Sequence, residues 1–257
     1  MNVTCVQING VWENKAASHD RARRLIDLAA PAKGSLVVLS EMFATGFSMN
    51  AAAITDSESH ETQNFLSRIA IDHNVYVTGG VVTSDTGGRG RNESVTYNPE
   101  GVEIARYCKM QPFTPAGESD NYVAGPRPMT FTCQEFTIAP FICYDLRFPE
   151  HFRAAVRMGA NLYTVIASWP SYREQHWMTL LRARAIENQA YVVGVNRTGH
   201  DSMHPHSGRS MIIDPRGEIL ADAGNGECVI SATLDLQALL DYRKQFPFLA
   251  DMRADSV

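Results

Sequence analysis

The chain has 257 residues, of which 44% are hydrophobic and 20% charged, enough apolar material for one large domain spanning 1–257 with a substantial core. A net charge of −5 and a pI near 5.9 leave no cationic surplus for nucleic acid, which is bound by clustered Lys and Arg. The start, MNVTCVQINGVWENK, lacks the basic opening and apolar run of a secretory signal, and no stretch is apolar for the ~18 residues a membrane span needs, so a cytoplasmic protein without a membrane partner is expected.

Val3 to Ile8 reads as a strand, and Ala22, Leu25, Ile26 and Ala29 fall at helical spacing before Pro31 and Gly34. LVVL, 36–39, is a short buried strand that runs into Ser40 and Glu41. Phe65, Leu66, Ile69 and Ala70 mark a second helix, and VYVTGGVV returns to strand. SVTYN and VEIARYC make a hairpin across Pro99 to Gly101, the second arm ending at Lys109. From Met110 to Pro128 lies a long connection rich in Pro and Gly, of the kind that often carries function.

Phe136 to Cys143 is again a strand, and Pro149, suited to a first helical turn, opens a helix with Phe152, Ala155 and Val156 on its apolar side. NLYTVIA is a strand. Ser171 and Glu174 have capping-box spacing before a helix to about Asn188, with Trp177, Leu180, Leu181 and Ile186 as its apolar face. YVVGVN, SMIIDP, EILADA and ECVISATL complete the strands, and residues 243–257 form an apolar tail suited to an oligomer interface. The second half repeats the order of the first, which predicts two similar layers packed face to face with helices outside.

The five cysteines, Cys5, Cys108, Cys133, Cys143 and Cys228, are odd in number and lack C-x-x-C spacing, so reduced thiols are expected rather than disulfides or structural zinc. The short basic clusters at 21–24 and 182–184 read as solvated helix faces. His204 and His206 have no carboxylate or cysteine set to complete a metal site and read as exposed, as does His151. No metal or cofactor is expected.

Glu41 follows LVVLS, Lys109 follows VEIARYC and Cys143 follows FTIAPFI, each read as a strand, and in open α/β sheets ligands collect beyond the carboxyl ends of strands. One such residue alone is more often a solvated strand end, or for Cys143 a small core hydrophobe. Four stretches in order change that balance: SEMFATGFSM, YCKMQPFTPAGE, FICYDLRFPE and RARAIENQAYVVGVNRTG. With them the sequence resembles the nitrilase superfamily of carbon-nitrogen hydrolases, in its omega-amidase-like branch, over nearly its whole length. The resemblance implies an α/β fold, a four-layer α-β-β-α sandwich, and a Glu-Lys-Cys triad at Glu41, Lys109 and Cys143, with Glu118 as a supporting glutamate. It also implies a homodimer.

A free thiol has a pKa of about 8.5, so a neighbouring carboxylate is needed to take its proton, a role that falls to Glu41. The Lys109 ammonium and the Tyr144 backbone N–H would receive the negative oxygen that forms on attack, a contribution of about 3 to 4 kcal/mol per donor. Phe43, Tyr122 and Trp169, on loops beside the implied triad, are candidate pocket walls, and Arg147 and Arg173 are candidates to hold a substrate carboxylate. The expected reaction is hydrolysis of the terminal amide of a small dicarboxylic acid monoamide such as 2-oxoglutaramate, through a cysteinyl thioester. An N-carbamoyl amino acid or a nitrile is the alternative substrate for the same triad; a binding protein of the same fold is the rival of another class.

Overall fold

The structure is a computed structural model and describes residues 1–253. Its elements are β1 (Asn2–Gln7), α1 (Lys15–Ala29), β2 (Leu36–Leu39), α2 (Ala51–Ile54), α3 (Glu61–His73), β3 (Tyr76–Ser84), β4 (Gly90–Tyr97), β5 (Glu103–Cys108), α4 (Glu118–Asn121), β6 (Phe131–Cys133) and β7 (Phe136–Ile142). They continue with α5 (Pro149–Arg157), β8 (Leu162–Ala167), α6 (Glu174–Asn188), β9 (Tyr191–Asn196), β10 (Thr198–His200), β11 (Pro205–Ser207), β12 (Met211–Ile213), β13 (Ile219–Asp222), β14 (Cys228–Thr233) and α7 (Leu236–Gln245).

Two six-stranded sheets result, in the orders β14-β1-β2-β3-β4-β5 and β13-β12-β9-β8-β7-β6. In each, three strands run parallel through helical crossovers, β1, β2 and β3 in the first and β7, β8 and β9 in the second. Those strands read as unbroken apolar runs because both their faces are covered, and every residue of β2, β8 and β9 is buried. Val3, Cys5, Leu36, Val38 and Tyr107 of the first sheet share one apolar cluster with Phe136, Ile138 and Phe141 of the second. On the outer side of the first sheet, Ala22, Ile26, Leu66 and Ile69 of α1 and α3 pack on Val6, Val37, Leu39 and Val77. With α5 and α6 over the second sheet, the layers form the α-β-β-α sandwich.

Local chemistry sets several boundaries. Pro149 occupies the first turn of α5, where its missing N–H costs nothing. The Asn14 side chain caps α1 by accepting from Ala17 N at 3.0 Å, and Asp235 caps α7 through Ala238 N at 3.0 Å.

Three expectations are corrected. Ser171 and Glu174 form no capping box: 171–173 make a tight turn, α6 starts at Glu174, and the Arg173 carbonyl accepts instead from Trp169 Nε1 at 2.8 Å. Ile186 is 45% exposed, on the Gly217 turn, whereas Arg184 from the supposedly solvated cluster takes the inward side of α6. There it donates to the Leu146 carbonyl at 2.7 Å and lies over the Phe152 ring. The long 110–128 connection holds a tight turn at Thr114–Ala116 and the one-turn α4.

The tail folds partly onto its own chain. Gln189 Nε2 donates to the Phe246 carbonyl and Arg153 Nη1 to Met252 Sδ, while the Phe246 ring is 57% exposed. The last four residues of the tail, 254–257, lie outside the described residues.

Candidate active site

Beyond the carboxyl end of β2, Glu41 lies on a loop pressed against β3: a Cβ added at Gly80 would fall 2.3 Å from Met42 N and 2.8 Å from Glu41 Cα. The residue after it, Met42, is left-handed at φ 45°. Lys109 is the first residue past β5, and Cys143 the first past β7. The two sheets thus bring three chain segments to one place.

Lys109 Nζ lies 2.9 Å from Glu41 Oε1 and 2.8 Å from Glu118 Oε2, and all three side chains are buried. Asn92 Nδ2 on β4 donates to both carboxylates, at 2.8 Å to Glu41 Oε1 and 2.9 Å to Glu118 Oε1. Backbone groups add to this: Ser168 N donates to Glu41 Oε2 at 2.7 Å, and Phe113 N to Glu118 Oε2 at 2.5 Å. Burial works against the Lys109 charge, yet the negative Glu118 and Glu41, then Cys143, hold its pKa well above the usual lysine range. The ammonium is therefore a fixed positive point in a dry site.

Cys143 is left-handed at φ 48°, an unfavoured conformation for a side chain with a Cβ, which turns its sulfur out of the line of β7 and into the pocket wall. Burial and the negative Glu41 push its thiol well above the usual range, against the opposing pull of Lys109 and the Ser168 N–H. Two carboxylates around one ammonium leave an excess negative charge that a thiolate would increase. Burial and Glu41 thus favour the protonated form of the sulfur.

The sulfur opens onto a pocket lined by Phe113, Tyr144, Arg147, Trp169 and Arg173, among others. The Arg147 guanidinium lies 4.7 Å over the Trp169 ring, and that of Arg173 lies 5.2 Å over Phe113. Burial, then the charge of Arg173, lowers the Arg147 pKa. Neither arginine forms an ion pair with a carboxylate among the described residues, and Arg147 instead meets His176 Nδ1 at 3.2 Å.

Two candidate walls are corrected. Phe43 packs in the outer core against Phe65 and His19, because its loop turns the ring under α1 and α3. Tyr122 is buried with Met42, Ala51, Ile54 and Val82, and its hydroxyl donates to the Ser48 carbonyl at 2.6 Å. His206 is not exposed either: it is buried on the pocket wall, with Nε2 2.9 Å from Asp201 Oδ2. His151 is half-buried, its Nε2 3.1 Å from Gln111 Nε2. Asn92, Ser168 and Phe113 were not singled out from the sequence, since two of them act through backbone N–H groups that any residue carries.

The pattern that defines carbon-nitrogen hydrolases matches residues 2–244 of this chain. The chain belongs to the carbon-nitrogen hydrolase family. Among relatives of this family, it is 38% identical to "Omega-amidase YafV" of Yersinia enterocolitica, over 98% of this chain and 96% of that protein. It is 32% identical to "2-oxoglutaramate amidase" of Bacillus subtilis, over 98% of both. XC1258 of Xanthomonas campestris, a carbon-nitrogen hydrolase superfamily protein solved with an arsenic adduct in its active site, superposes with a TM-score of 0.93 at 30% identity, over 100% of this chain and 98% of that one.

Proposed function

We propose that this carbon-nitrogen hydrolase is an omega-amidase, cleaving the terminal amide of a small dicarboxylic acid monoamide such as 2-oxoglutaramate to the acid and ammonia. The observation that carries the substrate class is the pair Arg147 and Arg173: two guanidiniums stacked on aromatic rings beside Cys143, without a carboxylate partner among the described residues. An anionic substrate group supplies that missing charge, and the planar fork of arginine suits a carboxylate.

The catalytic roles follow from the electrostatics. Cys143 Sγ attacks the amide carbonyl while its proton passes to Glu41, and the oxyanion is received by Lys109 Nζ and the Tyr144 N–H. Collapse breaks the carbon-nitrogen bond, with Glu41 returning the proton to the departing ammonia. Glu41 then takes a proton from water, whose oxygen attacks the thioester; the acid leaves and the thiol is restored. Glu118 and Asn92 keep Lys109 and Glu41 in register.

Ammonia release from 2-oxoglutaramate, an N-carbamoyl amino acid and an aliphatic nitrile, assayed side by side, tests the assignment. The monoamide is expected to give the highest kcat/KM; a preference for nitrile overturns it. Arg173→Gln is expected to raise KM for the monoamide by about 10- to 100-fold, in line with loss of one charge-assisted contact, while an uncharged amide of equal length is little affected. The same KM change for both substrates contradicts the carboxylate role. We also place the enzyme in the cytoplasm, in keeping with its five free thiols, and as a homodimer.

A further inference from the structure

Asp145 is fully buried two residues beyond Cys143, and the reaction steps above make no use of it. Its carboxylate accepts three hydrogen bonds: from Ile142 N at 2.9 Å and Tyr107 Oη at 2.8 Å on Oδ2, and from Gln111 N at 2.9 Å on Oδ1. The placement of those donors is informative. Ile142 immediately precedes Cys143, while Tyr107 and Gln111 stand two residues before and two residues after Lys109. One side chain of the second sheet therefore grips the lysine segment of the first sheet on both sides of the ammonium-bearing residue. It does so from within the turn that holds Cys143 in its left-handed conformation.

We infer that Asp145 is a positioning residue for the hydrolysis, fixing the separation and orientation of Cys143 and Lys109 across the two sheets. This rests on the reading of those two residues as nucleophile and oxyanion donor. A carboxylate suits the place because all three neighbours are donors, and an ionised acceptor makes the shorter, stronger bonds. The opposite end of the turn is anchored separately, by Arg184 Nη2 on the Leu146 carbonyl. The turn is thus clamped on both sides, which offsets the cost of a left-handed non-glycine residue.

The clamp is also sensitive to protons. Burial pushes the Asp145 carboxyl up to about 6, against the pull of the Ile142 N–H, the Lys109 ammonium, the Tyr107 hydroxyl and the Gln111 N–H. The ionisable groups around it are Tyr107 and Cys108 of β5 and Lys109 just past it, with Arg184 of α6 on the neighbouring peptide. Below about pH 6 the carboxyl gains a proton and an oxygen that carries it no longer accepts from all its donors. Asp145→Asn reproduces that state at every pH.

The test measures kcat and KM for 2-oxoglutaramate from pH 5 to 9 in the wild type, Asp145→Asn and Tyr107→Phe. Asp145→Asn is expected to lose about 100-fold in kcat with KM within about 3-fold, the scale of an ångström-sized misplacement. It is also expected to lose the fall in kcat near pH 6. Tyr107→Phe, which removes a donor that favours the ionised form, is expected to shift that fall to higher pH. Should Asp145→Asn not reproduce the near-ultraviolet circular dichroism of the wild type, Tyr107→Phe alone decides. An Asp145→Asn protein with wild-type kcat, or a Tyr107→Phe protein with an unmoved acid limb, overturns the inference. A wild type that releases no ammonia from the monoamide instead refutes the proposed function on which it rests.

Discussion

At the scale of single residues, the site depends on charge balance in a place closed to water. Lys109 is stable as an ammonium only because Glu41 and Glu118 flank it at 2.9 and 2.8 Å, and they in turn are tolerated only because it is there. Lys109→Ala is expected to lower the unfolding free energy by about 3–5 kcal/mol in urea titration, because two buried carboxylates are left without their cation. Arg23→Ala, which removes an exposed pair with Asp72, is expected to cost under about 1 kcal/mol in the same measurement. A second outcome concerns the thiol, whose proton the negative Glu41 helps to hold. In Glu41→Gln the thiol pKa falls, so alkylation of Cys143 by iodoacetamide at pH 7 becomes faster, while amide turnover drops by about 10² to 10⁴ for want of a base. Slower alkylation together with unchanged turnover would remove Glu41 from the role of base.

At the scale of elements, the loops matter through the strands they rest on. Gly80 in the middle of β3 leaves room for the Glu41 loop, and an added methyl would meet the backbone of Met42 and Glu41 rather than a side chain that can swing away. Gly80→Ala is expected to cost about 1–3 kcal/mol in stability and to lower kcat by moving Glu41; wild-type kcat contradicts that close approach. The strands carrying the site were legible because burial on both faces writes them as unbroken apolar runs, and LVVL and YVVGVN match β2 and β9 residue for residue. Glu41 and Cys143 stand just beyond such runs, whereas Lys109 follows β5, whose Glu103 and Arg106 break the apolar pattern, and was legible as the end of a hairpin arm. What the sequence concealed is long-range. Only the approach of α6 to the Cys143–Arg147 turn makes Arg184 an inward residue, and α7 buries fully only Leu239, too little for an apolar stripe to betray it. The β10–β11 hairpin encloses His206 through Asp201, a pairing that spacing alone did not reveal. Phe43 and Tyr122 were misplaced because proximity in sequence to Glu41 and Glu118 says nothing of the side to which a ring turns.

At the scale of the whole molecule, two sheets that share one core hold the three reactive segments in place. Phe141 of β7, touching Tyr107 of β5, Phe152 of α5 and Tyr163 of β8, joins the strand that leads to Cys143 to the one that leads to Lys109. Phe141→Ala is expected to cost about 3–5 kcal/mol by calorimetry or urea titration, as a large buried ring lost from a close-packed core; a loss below about 1 kcal/mol would show that this contact does not hold the layers together. The proposed homodimer predicts a sedimenting mass twice the 28.4 kDa of one chain. The central claim, that Cys143 becomes acylated with departure of ammonia, is tested most directly by intact and peptide mass spectrometry after rapid mixing with 2-oxoglutaramate and acid quench. The account predicts a transient adduct of the substrate mass less ammonia on the peptide bearing Cys143, absent in Cys143→Ala. Ammonia release at an undiminished rate from Cys143→Ala, or an acyl adduct on a different residue, would contradict it.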